Sequence, residues 1–556
     1  MKTRSSIPAL FGVLSCALAA NVSAQSQAVP AIAPSAAPAA LTPSIAAAFP
    51  VTPYASMVKT NSPAANQGWT AAPIFTVGET LGSYQPVGIL DGLGALSRGT
   101  GSAVVLANHE LPQNSGYTYS LLNGTQLRGA RVSSFVVTRT ITAGVPSLKI
   151  ERAGLAYNTV YDRQFQVVTE AAQINETGIS NDGFSRFCSS TAVAKGTYGF
   201  VDDIYFTGEE TGKPFHPHGG TLWALDAFNR ELWAVPALGR ANWENVSPLE
   251  TGNPGTIALL VGDDTESAPL YLYIGQKNAL GDGSFLDRNG LRVGTLYAWK
   301  ADNGDLTPEH FNGLNASRTG QFVPVVVQNA AQAGQPGHDA EGYLDIDTLQ
   351  AQADALGCFS FSRPEDIGVN PLDGTQAAIA STGRGQLFPS DNWGDVLVID
   401  VDFSNLSADL VIVHDADELL VPDSGIRNPD NLTWAKDGKI YVQEDRSTSP
   451  SALFGAATGI EASMYSLDPV TRAFRRVAEC DRSAVAPLGT TDGAPNDIGN
   501  WESSGVIDVT GLLPTLPNER LLLITVQAHS LVNGPIGDNA LLDEGGQLIL
   551  LSKIGQ

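Results

Sequence analysis

Basic residues are scarce in this chain. Its 556 residues carry 32 Lys and Arg against 57 Asp and Glu, a formal net charge of -25. No basic face is available to neutralise a phosphate backbone, which excludes a general nucleic-acid binder. Charge of either sign is thin, at 16% of residues against a usual ~25%. With 43% hydrophobic residues, this is the balance of a chain that buries a large core and not of one that stays disordered. Beyond the first twenty or so positions no segment approaches the ~18 uninterrupted apolar residues of a membrane span, so no span is expected in the mature protein. Familiar hydrolase signatures are missing: there is no G-x-S-x-G elbow, H-E-x-x-H, complete Walker A or full EF-hand loop. The 7 His are scattered, and their one close pair, His216-Pro217-His218, reads as a loop feature and not as part of a zinc site.

Cysteine is also rare, with 4 in all. Lys2 and Arg4 precede an apolar run over 7–20, and Val22-Ser23-Ala24 has the small-residue form of a signal-peptidase site. Residues 1–24 are therefore expected to be a signal peptide and the mature protein periplasmic or extracellular. Cys16 lies in a sequence resembling a lipoprotein box, but the apolar run continues past it. Cys188, Cys358 and Cys480 remain, an odd number in a compartment that permits disulfides, so at least one thiol is left over. Cys188 sits among polar and small residues, where a thiolate serves a metal as readily as a buried thiol stays inert.

Residues 25–50 are Ala/Pro-rich and read as a flexible lead-in. The body, 51–556, is expected to be one domain. Short β-rich runs dominate it, at 103–107, 134–140, 204–207, 256–261, 270–274, 396–401, 439–442 and 520–526, punctuated by Gly, Asn, Asp and Pro. One helix is predicted, over 346–356 with Gly357 as its C-cap. A small residue, an apolar strand and an Asp recur at 220–226 (GTLWALD), 294–302 (GTLYAWKAD), 394–400 (GDVLVID) and 462–468 (ASMYSLD), with an echo at 546–553 (GQLILLSK). The spacing exceeds the ~40 to 45 residues of a regular propeller blade, so alternate blades lack the motif or insertions are long. Radially repeated sheets protect strand edges in a large all-β chain, and a sandwich array is the rival arrangement.

Carboxylates beside turn residues at strand ends carry the chemistry. They are Glu110, Glu209, Glu210, Glu244, Asp263, Asp264, Glu365, Asp366, Glu444, Asp445 and Glu502. In a closed β-fold, strand ends and their loops converge on one cavity. Packed carboxylates stay ionised only if something cationic neutralises them. Hard oxygen donors favour Ca²⁺, and a thiolate adds a preference for a transition metal. Arg363 is the candidate anion contact because a guanidinium fork fits phosphate oxygens. An Arg–carboxylate ion pair is its plainer role. Lys277 is a second, weaker substrate-binding candidate, with a surface lysine as the default.

These residues resemble the PhoX-type alkaline phosphatases. The matching stretches run in family order: PVGILDGLGAL (86–96), VLANHEL (105–111), GARVSSFVV (129–137), RFCSS (186–190), TGEE (207–210), LGRANWEN (238–245), VGDD (261–264), SRPEDI (362–367), NPDNLTW (428–434) and WESSGVID (501–508). The resemblance implies an all-β fold, a six-bladed β-propeller with long loop insertions and a few short helices. Its cavity would hold two Fe³⁺ and three Ca²⁺ with a bridging oxo or hydroxide group. It implies Cys188 and Glu244 as iron ligands, Glu365 as a further ligand, and Glu110 with one of Glu209 and Glu210 on the calcium side. Arg363 would contact phosphate, and Asp264, Asp445 and Glu502 lie in matching motifs. The implied activity is metal-dependent hydrolysis of small phosphate monoesters by a monomer. Three features depart from the family: a lone Arg4 where a twin-arginine leader is usual, the form of the segment before Glu244, and Arg131 where an aromatic is expected. A calcium-dependent propeller lactonase or phosphotriesterase, or a non-catalytic calcium-stabilised binding propeller, are the alternatives, and neither needs the Cys188 thiolate.

Overall fold

The computed structural model describes residues 48–60, 68–176, 183–213, 216–537 and 541–555. The signal-peptide segment, Cys16 and the lead-in up to residue 47 lie outside the described residues. Phe49–Pro50, at the end of that lead-in, pairs as a short strand with Ile150 and Lys149.

The body is all-β, and its strands form six antiparallel meanders. Each begins with an inner strand: Leu90–Ser97, Phe187–Val193, Trp243–Leu249, Pro364–Val369, Pro429–Trp434 and Glu502–Asp508. The second strands are Ser102–His109, Ile204–Glu209, Thr256–Asp263, Gln376–Ser381, Ile440–Glu444 and Glu519–Ala528. Each inner strand neighbours the next, and the sixth returns to the first, so they close a ring. The third and fourth meanders are joined by Ser317–Val325 into a nine-stranded sheet. All eight predicted runs are strands.

The recurrent Gly-strand-Asp pattern is the third strand of the second, fourth, fifth and sixth meanders and the fourth strand, Gly294–Ala301, of the third. The motif thus recurs once per meander, and the wide spacing comes from long connections and not from meanders lacking it. One such connection, 326–363, holds the helix Ile346–Leu356. Asp345 caps its start by accepting the Thr348 N–H, and Gly357 ends it at φ 74°, a left-handed angle that suits a residue without Cβ. The other α-helical segments described are single turns.

The meanders pack face to face, so their strands are apolar on both sides. One apolar cluster joins Leu106 of the first to Tyr205 and Trp223 of the second. Another joins Leu260 of the third to Ile379 and Leu397 of the fourth, and a third joins Val396 to Ile440. The largest links the fifth, sixth and first through Met464, Ile524, Leu550 and Phe135. Arg131, the departure from an aromatic, is fully buried with its guanidinium 4.7 Å from the Tyr117 ring centre and 4.5 Å from that of Tyr119. A planar cation stacks there as an aromatic would.

Inner strands present an unpaired edge to the centre of the ring, and side chains of the neighbouring meander supply the partners. Asn108 donates to the Cys188 and Ser189 carbonyls, Thr191 to Asn245, and Asn245 to the Ile367 carbonyl. Asp366 accepts the Leu432 N–H, Gln443 donates to the Gly505 carbonyl, and Ser504 donates to Asp91. Six polar stitches thus run once round the ring, and four of them satisfy backbone groups that no ladder reaches.

The chain closes the ring from both ends. Trp69–Thr76 is the fourth strand of the sixth meander and pairs with Gly545–Ile554 near the C-terminus. Phe75 on that strand is fully buried, with its ring centre 5.5 Å from that of Phe135. Phe75→Ala should therefore cost about 3–5 kcal/mol in denaturant unfolding. A loss under ~1 kcal/mol would show that this closure does not support the ring.

Candidate metal centre

One backbone irregularity recurs in all six meanders. Next to the second strand, each inner strand carries a β-bulge, between Leu90 and Leu93, Phe187 and Ser190, Trp243 and Val246, Pro364 and Ile367, Pro429 and Leu432, and Ser503 and Val506. A bulge inserts an unpaired residue and re-aims its side chain. The first bulged residues are Asp91, Cys188, Glu244, Glu365, Asp430 and Ser504. Beside the first five bulges the second strand gives way to Glu110, Glu210, Asp264, Thr382 and Asp445 in turn, and beside the sixth Gln527 lies near the end of the second strand, opposite Glu502. Two rings of polar side chains thereby face one another at one end of the strands.

Close approach of neighbouring inner strands depends on glycine. A Cβ on Gly208 would lie 2.0 Å from the Trp243 carbonyl oxygen, and one on Gly262 would lie 2.1 Å from that of Glu365. This is the physical content of the Gly-Glu-Glu and Gly-Asp-Asp motifs: the glycine makes room for the next strand, whose bulge delivers the next ligand atom.

The resulting cavity, about 320 Å³, is lined by Glu110, Glu210, Asp264, Glu365, Asp430, Asp445 and Glu502, with Cys188, Arg186, Arg363, Gln527 and His529. Three triads of ligand atoms, each within 4.8 Å of one another, share corners: Asp91, Glu110 and Cys188; Cys188, Glu210 and Glu244; Glu244, Glu365 and Asp430. Cys188 and Glu244 link the chain of triads. Glu244 accepts the Ser189 N–H at 3.1 Å through one oxygen, while its other oxygen is buried without a partner. One oxygen each of Asp91 and Asp430 is likewise orphaned.

Two arginines offset part of this charge. Arg363 forms a bidentate pair with Asp264, Nε to Oδ1 at 2.6 Å and Nη2 to Oδ2 at 2.8 Å, and Nη2 also meets Glu365 at 2.8 Å. Ser447 accepts from its Nη1 at 2.8 Å. Arg186 bridges Glu110 at 2.8 Å and Glu210 at 2.6 Å. Burial works against the Asp264 charge, yet the Arg363 pair carries its carboxyl down to about 2. The remaining groups move the other way. Burial, then the Glu365 and Glu210 charges, raises Glu244 well above the carboxylate range. Burial, then Glu365 and Glu502, does the same to Asp430. Asp91 rises to about 7 through burial and then Glu110. Burial, followed by Asp91 and Glu244, raises the Cys188 thiol. Groups packed this way hold protons unless cations replace them. The shared corners, the orphaned oxygens and a donor set of one sulfur and many carboxylate oxygens fit a cluster of several cations.

Of the residues singled out from the sequence, Glu110, Cys188, Glu210, Glu244, Asp264, Arg363, Glu365, Asp445 and Glu502 are brought together here. Glu209 is not. It ends its strand one residue earlier, so its side chain turns to the opposite face, accepting the Trp223 indole N–H at 3.0 Å and the Ser185 N–H at 3.2 Å. Of the Glu209-Glu210 pair, Glu210 alone faces the cavity. Lys277 is not there either: it follows Tyr271–Gln276 at the end of the third meander away from Asp264, and its Nζ donates to the Gly199 carbonyl. Cys358 and Cys480 do not pair, and all three described cysteines are free thiols.

Asp91, Asp430, Arg186, Gln527 and His529 escaped the sequence reading. For Asp430 a signal existed. Glu244-Asn245-Val246, Glu365-Asp366-Ile367 and Asp430-Asn431-Leu432 share an acid-Asx-apolar form, and aligning the meanders on it exposes the third copy. A further acidic triad, Glu176, Asp339 and Glu341, is neutralised by Arg163 and Arg240. His218 bonds Glu176 at its edge.

Replacing Gly262 with Ala should force the third and fourth inner strands apart, costing about 1–3 kcal/mol and lowering metal content in elemental analysis. Unchanged stability and metal content would refute the close-approach role.

A family model described as alkaline phosphatase PhoX matches residues 222–483. Among solved structures, the fold is similar to that of Pseudomonas fluorescens PhoX in complex with vanadate, a transition state analogue. The TM-score is 0.56 at 17% identity, covering 88% of this chain and 95% of that one. A Trypanosoma rangeli sialidase (TM-score 0.32, 10% identity, 88% of this chain and 60% of that one) and a Synechocystis apocarotenoid oxygenase mutant (0.30, 10%, 83% and 92%) are more distant. No curated protein sequence matches the chain. The match to the PhoX alkaline phosphatase family model across 222–483 spans Glu244, Asp264, Arg363, Glu365, Asp430 and Asp445.

Proposed function

We propose that this protein is an exported alkaline phosphatase that hydrolyses small phosphate monoesters in the cavity at the bulged ends of its inner strands. The single observation that carries the reading is the chain of three ligand triads joined through Cys188 and Glu244. The similarity of residues 222–483 to the PhoX family model supports it. We read the six meanders as the blades of a six-bladed propeller, 51–556 as one catalytic domain, and the working unit as a monomer. Export to the periplasm or beyond rests on residues 1–24. No helix described is long and apolar enough to cross a membrane.

Two Fe³⁺ and three Ca²⁺ with a bridging oxo or hydroxide are the cofactors we assign. Cys188 and Glu244 are the iron-side ligands, the thiolate supplying the soft donor, and Glu365 and Asp430 are further ligands. Glu110, Glu210, Asp264, Asp445 and Glu502 supply hard oxygens suited to calcium. When bound, such cations polarise phosphoryl oxygens and provide an activated oxygen nucleophile.

The chain's own contribution begins with charge. Cations bound here would displace protons from the carboxylates to solvent and bring the positive charge that favours an anion. Arg363 is the substrate-binding and catalytic residue. Its side chain is 18% exposed at the cavity mouth, and Asp264 and Ser447 fix the guanidinium plane. A guanidinium so held orients phosphate oxygens and stabilises equatorial charge as the ester bond breaks. Arg186, 46% exposed, lines the same cavity.

Assay against p-nitrophenyl phosphate tests the reading. Chelation of the purified enzyme should abolish turnover, and Cys188→Ala and Glu244→Gln should each lower kcat/KM by ~100-fold or more, the range seen when metal-site partners are lost. Arg363→Lys should raise KM and lower kcat together, because a point charge lacks the bidentate fork. Activity that survives both chelation and Cys188→Ala would overturn the proposal, and zinc as the sole metal would overturn the cluster.

A further inference from the structure

The central cavity adjoins a second space. Arg186, Glu210, Asp264, Arg363 and Asp445 line both the cavity and a vestibule of about 630 Å³. An ester whose phosphoryl group lies against Arg363 has this vestibule as the neighbouring room for its leaving group, so the lining selects among leaving groups.

Among the described residues no aromatic or aliphatic side chain lines the vestibule; carboxylates, an amide, hydroxyls and four guanidinium groups do. A large apolar leaving group would find no surface to bury against. The arginines are Arg186, Arg363, Arg384 and Arg446, gathered in a chain with only 32 basic residues, and no lysine is among the lining. A guanidinium fork takes phosphate oxygens bidentately, where a lysine offers a point charge.

The four divide into an inner and an outer pair. Arg186 and Arg363 are engaged with cavity acids. Arg384 lies beyond Gln376–Ser381, the second strand of the fourth meander, and its Nε meets Glu266 at 2.8 Å. Arg446 lies beyond Ile440–Glu444 of the fifth, pairs with Asp497 and donates to the Ile498 carbonyl at 2.8 Å. Both outer arginines are tied to the substrate arginine through the chain. Thr382, two residues before Arg384, donates its N–H to the Arg363 carbonyl, and Ser447, next to Arg446, accepts from Arg363 Nη1. Glu266 and Asp497 are 48% and 46% exposed, and ion pairs this open to water are weak enough to yield to a better anion. The other vestibule acids, Glu210, Asp264 and Asp445, are those assigned to cations.

We propose that Arg384 and Arg446 form a subsite for a second phosphate carried by the leaving group, which makes bisphosphorylated polar molecules such as sugar bisphosphates the preferred substrates. The inference rests on the phosphatase reading for the phosphate that is cleaved, and adds the class of leaving group.

Full-length, metal-loaded enzyme is assayed against glucose 1,6-bisphosphate and glucose 6-phosphate. Calorimetry follows binding of butane-1,4-bisphosphonate and butylphosphonate, which have no ester to cleave. Expected is a kcat/KM about tenfold higher for the bisphosphate, the gain lying in KM, and a similar ratio of Kd between the two phosphonates. Both ratios should shrink at raised ionic strength and fall to near unity in R384Q/R446Q. E266Q/D497N, which frees both guanidinium groups, should enlarge them and serves if the first variant does not fold. Equal phosphonate affinities, or ratios that neither variant moves, would overturn the proposal, while turnover of glucose 6-phosphate would leave the phosphatase reading standing. A phosphonate ratio that R384Q/R446Q abolishes, in a protein that turns over neither ester, would count for the subsite and against the phosphatase reading.

Discussion

Mutual repulsion among buried carboxylates is the constraint on which this molecule turns. Asp91, Glu110, Glu210, Glu244, Glu365 and Asp430 form, with Cys188, a chain of three ligand triads, in a place where burial alone penalises each charge. Left bare, most of these groups hold protons. An acidic wall of this kind costs stability, and a fold keeps it only where something offsets the charge. Two arginines do part of that work, and multivalent cations suit the rest.

The backbone is organised around this cost. Every inner strand breaks its ladder at the same height, and the bulge that breaks it lifts one donor into the cavity. The residue after the bulged donor does structural work instead: Asn245 and Asp366 bond the neighbouring inner strand, closing edges that would otherwise face the centre unpaired. Gly208 and Gly262 allow those strands to approach. Catalytic and structural roles are thus divided between adjacent residues of one bulge, which explains why acid-Asx pairs and not single acids mark the site in the chain.

The same logic separates the ion-pair networks. Glu176, Asp339 and Glu341 have a geometry like that of the cavity triads, but Arg163 and Arg240 reach them and their charge is already balanced. In the cavity two arginines serve a larger set of acids and leave oxygens of Asp91, Glu244 and Asp430 without partners. The net charge of -25 therefore says little about the field at the cavity, which its own cations and arginines set.

By itself the sequence determined the all-β class, the helix at 346–356 to its capping glycine, the recurring Gly-strand-Asp segments and most of the cavity acids, because these depend on local periodicity, turn chemistry and motifs that lie within a few residues. It left Glu209 and Glu210 indistinguishable. Strand side chains alternate, and only the end of the ladder at Glu209 decides which carboxylate faces inward. Lys277 looked available because its distance from the site is set by the length of a strand and the direction in which it runs. Asp91, Asp430 and Arg186 acquire meaning only once six separate bulges are brought to one height. Convergence of polar side chains more than 400 residues apart, such as Asp91 and Ser504 at 2.6 Å, is decided by closure of the ring, and no local pattern in the chain encodes that distance.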